Sequence, residues 1–408
     1  MKDIIYICQS MKSFPKRLLS KLNARIEKKA LRSLGAKSDT IDFASNDYLG
    51  FSRSETIFDT SHQYLVDNQL KENGATGSRL LSGNHDLYTE TESMLCKFHA
   101  SEAALIFNSG YDANIGFFSS VPQRSDIVLF DEYIHASIRD GINMGNAKSY
   151  KFKHNDLQDL SEMLKRVQHD ETSERHPEPV SGSHNKAEIY IITESVFSMD
   201  GDSPDLNAFA QFCLQNNCFL IVDEAHAVGV CGQNGCGQVQ RLELQDVVFA
   251  RIITFGKALG CHGAAVLGSN ELKNYLVNFS RSFIYTTALP PHSLTTIKSS
   301  YETLISSSGA ENLSELQKNI QLFKSEIKNN KLQDHFINSN SAIHCCVIVG
   351  NEKVISIAQK IKAKGFDIKA ILAPTIPEGQ ERLRFCLHSY NSEKEITEVL
   401  ELLHRFIH

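Results

Sequence analysis

The sequence predicts an α/β protein, with a mostly parallel central sheet in a large domain and a smaller α+β domain at the C-terminal end. Three observations predict it. Short apolar runs at 103–107, 127–131 and 188–193 recur with helical stretches between them, the rhythm of βαβ units. That rhythm stops at an exit around 283–291, beyond which long helical segments carry two further strands. Finally, 408 residues with 41% hydrophobic content can bury a large core and argue for two packed domains. The expected boundaries are an N-terminal helix and arm over 1–45, a large domain over 46–290 and a small domain over 291–408.

Taken in order, residues 18–34 place apolar positions at helical spacing between basic ones, so an amphipathic helix precedes the large domain. Residues 40–44 read as a short strand closed by the polar turn 45–50. The loop 74–83 is rich in glycine and hydroxyls around one arginine, a composition that fits a plain surface loop or a close approach to an anion. A helix over 85–99 leads to the strand 103–107 and then to Asn108-Ser109-Gly110-Tyr111. A strand entering a helix through Ser-Gly presents unpaired N–H groups and the positive end of the helix dipole, which is a phosphate site. The strand 127–131 delivers Tyr133, His135 and Ser137 at its carboxyl end, where His135 is either a satisfied structural histidine or a ring that stacks on a flat cofactor.

Residues 168–187 break the alternation. They are polar, contain two prolines and lack a period, so they read as a solvated insertion and not as a metal site despite their three histidines. The strand 188–193 then ends in Glu194-Ser195-Val196-Phe197-Ser198-Met199-Asp200-Gly201-Asp202, and a helix over 206–218 follows. Another strand is expected at 263–268. In the small domain, 292–330 reads as helical, 342–349 and 383–387 as strands, and 354–364 and 393–406 as helices.

Composition narrows the partners. A net charge of −6 with dispersed Lys and Arg leaves no basic patch, which argues against nucleic acid or an anionic membrane as the principal partner. Ten scattered cysteines lack the paired spacing of a zinc site; no metal is expected. Without a secretory signal pattern or an apolar run of about eighteen residues, the expectation is a soluble cytoplasmic protein with free thiols.

The chemistry gathers at two stretches. Ile221-Val222 reads as the end of a buried parallel strand, so Asp223 stands at a strand's carboxyl end, where open α/β sheets place ligands. In Thr254-Phe255-Gly256-Lys257-Ala258-Leu259-Gly260, the lysine follows an apolar run, where burial lowers its pKa and frees an amine nucleophile. An aspartate able to keep a pyridine nitrogen protonated and a lysine able to form a Schiff base are the minimal kit for pyridoxal 5'-phosphate. A structural Asp–Lys ion pair is the alternative.

With Asp223-Glu224-Ala225-His226, Thr254-Phe255-Gly256-Lys257 and Phe197-Ser198-Met199-Asp200-Gly201-Asp202 in this order, residues 18–408 resemble an α-oxoamine synthase of the fold-type I pyridoxal phosphate enzymes. The loop Gly77-Ser78-Arg79-Leu80-Leu81-Ser82-Gly83 is more similar to the alanine-using, biotin-pathway branch than to glycine- or serine-using members. The resemblance implies that Lys257 carries the cofactor, Asp223 pairs with its ring nitrogen, His226 and Ser198 bond its ring oxygen and His135 stacks on it. It implies that Thr254 and the N–H groups of Gly110 and Tyr111 hold the phosphate, joined by Thr287 from a second subunit of a homodimer. Arg32, Asn46, Thr375 and Arg384 would line the substrate site, with Arg384 on the amino-acid carboxylate.

The implied reaction is a decarboxylative condensation of L-alanine with a pimeloyl thioester of coenzyme A or a carrier protein. Where relatives often read Ala-Ile-Arg-Pro-Pro-Thr, this chain has Ala370-Ile371-Leu372-Ala373-Pro374-Thr375, which removes a cation from the acyl side. Another family member using glycine or serine, and a silent relative serving as a partner subunit, are the competing readings.

Overall fold

The structure is a computed structural model that describes residues 14–27, 31, 34, 39–173 and 187–408. Its strands in chain order are β1 (Ile41–Asp42), β2 (Ala103–Phe107), β3 (Ile127–Asp131), β4 (Lys148–Phe152), β5 (Ile189–Glu194) and β6 (Phe219–Asp223). They continue as β7 (Ala250–Thr254), β8 (Ala264–Gly268), β9 (Ile343–Val347), β10 (Phe366–Asp367), β11 (Lys369–Ile371) and β12 (Arg382–Cys386).

A seven-stranded sheet has the order β2-β8-β7-β6-β5-β3-β4. β8 runs antiparallel to both neighbours and every other pairing is parallel. Because β8 is flanked on both sides, β2 points the same way as β7, and the carboxyl ends of β2, β3, β5, β6 and β7 share one edge. β2 and β5 are buried at every position, as expected of strands covered on both faces by crossover helices. Apolar residues on the two faces belong to separate clusters: Ile192 and Ile221 pack with Phe117 and Ile138, whereas Ile191 and Val222 pack with Leu164 and Phe209. Period-2 alternation in the strands produces this division.

The C-terminal part builds an antiparallel sheet, β11-β12-β9. β1 pairs in parallel with β10, so the arm before the large sheet is stitched to the far end of the chain. The Phe43 carbonyl accepts from Cys386 N and the Tyr48 carbonyl from Ser389 N, each at 2.8 Å.

Several elements differ from the sequence reading. The helix expected over 292–330 is two helices, Pro291–Leu304 and Ser307–Asn329, because Ser306 caps the second one through Gly309 N. The helix Leu157–Ser173 runs six residues into the stretch expected to be aperiodic; 174–186 lie outside the described residues. The short helix Arg281–Ile284 runs into the start of the exit around 283–291. The helix Glu55–Asp67 and the edge strand β4 went unrecognised in the sequence. β4 reads Lys-Ser-Tyr-Lys-Phe, with a single buried residue, and carries no apolar signal. The N-terminal amphipathic helix is Lys16–Glu27, with Leu18, Leu19, Leu22 and Ile26 exposed.

Candidate active site

The shared carboxyl edge of the sheet delivers the charged residues. Asp223 is the last residue of β6 and Glu224 the next, and alternation turns them to opposite faces. Asp223 is buried; its Oδ1 accepts from Ala225 N at 2.9 Å and its Oδ2 from Asn114 Nδ2 at 3.1 Å. Asn114 comes from the helix Gly110–Phe118 that follows β2. Glu194, the last residue of β5 and the register partner of Asp223, is buried and accepts from His135 N at 2.5 Å. Burial first, and then the neighbouring Asp223 charge, push the Glu194 carboxyl well above its ordinary pKa.

Lys257 follows β7 through the turn 255–257. Its Nζ lies 2.6 Å from His226 Nε2, and His226 Nδ1 lies 2.7 Å from the Tyr48 hydroxyl. Tyr48 donates to Asn46 Oδ1 at 3.1 Å, which also accepts from Arg384 Nη2 at 3.0 Å. One proton arrangement satisfies the whole chain: the Lys257 ammonium donates to Nε2, Nδ1–H donates to Tyr48 and Tyr48 donates to Asn46. Burial lowers the Lys257 pKa to about 8 against the opposing pull of Asp223 and Glu194. Burial, reinforced by Lys257, depresses His226 well below its ordinary value, so its imidazole is neutral.

Arg384 is buried on β12, its Nε donating to the Ser198 carbonyl at 2.7 Å. Arg382, two residues earlier on the same strand, is committed elsewhere, with its guanidinium on Asp200 and on the Met199 carbonyl. Thus Asn46, Tyr48, His226, Lys257 and Arg384 form one hydrogen-bonded group assembled from the arm, the large sheet and the small sheet.

At the carboxyl end of β2, Ser109 caps the helix Gly110–Phe118 by accepting from Asp112 N at 3.0 Å. A Cβ added to Gly110 would lie 3.7 Å from Thr254 Oγ1, so the start of this helix and the Thr254 hydroxyl face one small space. Gly110 and Tyr111 contribute their N–H groups there, while the Tyr111 ring points outward to Asp140. His135 caps the helix Ala136–Met144, its Nδ1 2.7 Å from Ser137 Oγ. His135 and Ser198 border a cleft of about 1360 Å³ whose far wall includes the exposed Thr375.

Other sequence-derived candidates fall differently. Arg32 lies outside the described residues. Thr287 is exposed, and its carbonyl accepts from Asn108 Nδ2 at 2.5 Å, beside the start of the helix Gly110–Phe118. Arg79, the cation of the glycine-rich loop, pairs with Glu92 at 2.5 Å and covers the Tyr88 ring, so its charge is met internally. Sequence reading missed Tyr48, Asn114 and Glu194 as members of the site. Their places in the site depend on contacts with residues 29 to 178 positions away.

The family model described as "Aminotransferase class I and II" matches residues 38–403. The chain is 38% identical over 379 residues to the 8-amino-7-oxononanoate synthase of Emericella nidulans, covering 90% of this chain and 89% of that one. Among solved structures, the 8-amino-7-oxononanoate synthase of Francisella tularensis superposes with a TM-score of 0.72 at 28% identity, covering 91% of this chain and 98% of that one. The serine palmitoyltransferase of Sphingomonas wittichii superposes with a TM-score of 0.83 at 23% identity, covering 97% and 98%, a likeness of fold.

Proposed function

The chain belongs to the aminotransferase class I and II family and, within it, to the pyridoxal phosphate-dependent α-oxoamine synthases; from this we propose that it condenses L-alanine with a pimeloyl thioester, giving 8-amino-7-oxononanoate for biotin synthesis. The observation that carries the proposal is the linked group of Lys257, His226, Tyr48, Asn46 and Arg384 beside Asp223. It brings an amine, a carboxylate suited to a pyridine nitrogen and a guanidinium suited to a carboxylate close together.

The residues fit pyridoxal 5'-phosphate: the space between Gly110 and Thr254 suits its phosphate, Asp223 its ring nitrogen and Lys257 its aldehyde carbon. Bound there, the cofactor supplies a sink for the electrons released at the substrate Cα. Lys257, with a pKa of about 8, is matched to taking the Cα proton and returning it after carbon dioxide is lost. Asp223, oriented by Asn114 and Ala225 N, holds the proton on the pyridine nitrogen. His135 covers one ring face, its backbone fixed by Glu194. His226 and Ser198 serve the ring oxygen. Arg384 takes the alanine carboxylate, with Asn46 fixing the guanidinium, and the acyl thioester enters by the cleft bounded by Thr375.

Leu372 stands where relatives often carry arginine, and this favours a second reading, in which glycine or serine reacts with a different acyl thioester. A silent partner subunit is opposed by the presence of both Lys257 and Asp223. We also propose a homodimer. The exposed apolar side of the helix Lys16–Glu27 and the exposed Thr287 near the domain exit support it. In mixed dimers of Lys257→Ala and Thr287→Val subunits, one fully functional site is expected if Thr287 reaches the partner's phosphate, and none if it acts within its own chain.

The substrate test mixes holoenzyme with alanine, glycine or serine, records the visible spectrum of the cofactor, and then adds pimeloyl-coenzyme A or a pimeloyl carrier protein. A spectral change and product with alanine are expected. A response confined to glycine or serine overturns the alanine assignment.

A further inference from the structure

Away from Lys257, one partly buried cluster joins two loops at the carboxyl edge of the sheet. His154, just past β4, has Nδ1 2.9 Å from Asp131 Oδ1 and Nε2 2.9 Å from Asp202 Oδ2. Both ring nitrogens therefore face carboxylates, and both carry protons. Burial alone pushes the ring toward neutrality, but the hydrogen bonds and charges of Asp131 and Asp202 override it and raise the pKa to about 10.

We propose that His154 is a positioning residue whose ring ties together the two loops carrying His135 and Ser198. This inference rests on reading those two residues as cofactor contacts. The first loop starts at Asp131, whose Oδ1 also accepts from Tyr133 N at 2.8 Å, and Tyr133 stacks on the His154 ring with centroids 4.4 Å apart. His135 lies two residues further on. The second loop closes on itself, with the Asp202 carbonyl accepting from Phe197 N at 3.0 Å. Phe197 meets the His154 ring edge-on at 4.5 Å, and Ser198 is the next residue. One imidazolium thus touches both loops, each through a hydrogen-bonded carboxylate and an aromatic ring.

The charges around it are partly offset within the protein. Glu132 accepts from His154 N at 3.3 Å, Asn155 Nδ2 donates to Asp202 Oδ2 at 2.7 Å, and Arg382 from β12 neutralises Asp200. His154, Asp200 and Asp202 lie close enough to hold a metal ion. Arg382 and the protonated ring already supply that positive charge.

The test compares wild-type, His154→Gln and Asp202→Asn proteins in apo and holo forms. Hydrogen exchange is expected to accelerate across both 131–136 and 196–203 in His154→Gln, and the dissociation constant for pyridoxal phosphate to rise about tenfold. Asp202→Asn keeps the Asp131 bond, so both effects are expected at about a third of that size. This variant decides the matter if His154→Gln does not fold. Faster exchange confined to residues next to 154, with unchanged cofactor affinity, overturns the proposal, as does a stoichiometric divalent metal found by elemental analysis. His135→Ala and Ser198→Ala serve as controls. If they leave cofactor affinity unchanged, the reading of the site fails; if they weaken it and His154→Gln does not, only the positioning role fails.

Discussion

Asp223 and Glu224 are adjacent in the chain and opposite in circumstance. Glu224 is fully buried and saturated: its carboxylate accepts from Gln238 N at 2.6 Å, Val239 N at 3.0 Å and Arg251 Nε at 2.8 Å. Arg251 in turn donates to the carbonyls of His99 at 2.9 Å and Cys236 at 3.1 Å. Asp223, on the other face, accepts from one side-chain amide and one backbone N–H, while the Lys257 amine nearby is held by a neutral histidine. A completed ion pair on one face locks strand ends together. An incompletely paired set of charges on the other leaves capacity for a ligand.

The comparison is broken most severely at Lys257. Lys257→Ala should lower turnover by roughly 10²–10⁴-fold or more while leaving the far-ultraviolet spectrum and melting behaviour near wild type; persistence of a lysine-linked chromophore in this variant would contradict the assignment. On the opposite face, Arg251→Met should cost about 3–5 kcal/mol in chemical denaturation, because it strands the buried Glu224 carboxylate. The paired change Glu224→Leu with Arg251→Met should recover much of that loss. A double variant no more stable than the single one would show that the pair itself holds the strands.

Arg384→Lys sharpens the contrast at smaller scale. Losing the planar fork should weaken amino-acid binding by about 1.5–3 kcal/mol, roughly 10- to 150-fold in KM, with a lesser change in kcat. Equal losses in both constants would place Arg384 in the chemical step instead. The smallest effect concerns pH. The Lys257 pKa is lowered from its ordinary 10.5 to about 8, and the neutral amine is the nucleophile. Capture of pyridoxal phosphate by apoprotein should therefore accelerate as pH rises and level off above about 8. A rate still climbing at pH 10 would mean an amine not perturbed by burial.

The lysine and aspartate were legible because strand ends announce themselves locally, in an apolar run followed by a polar residue. The layered fold was legible for the same reason, since both faces of β2 and β5 are buried and their sequences are mostly apolar. Tyr48 was not, because its partner His226 is 178 residues away and nothing within Asn46-Asp47-Tyr48 signals that contact. Glu194 was quoted within a motif but not given a role, since its burial beside Asp223 is a matter of strand order. Helix limits failed where one hydroxyl decides them: Ser306 splits 292–330 in two, and serine is common enough elsewhere to pass unnoticed.

The pairing of β1 with β10 has a consequence in time. Residues 41–42 leave the ribosome well before their partners at 366–367. At typical elongation rates the interval is on the order of half a minute. Asn46 and Tyr48, which sit just after that arm, cannot meet Arg384 until β12 has also emerged. The large sheet has all its strands by residue 268, but the hydrogen-bonded group around Lys257 is finished later, when β12 reaches Asn46. A chain that has emerged only as far as residue 268 would therefore hold Lys257 and Asp223 without the contact between Asn46 and Arg384.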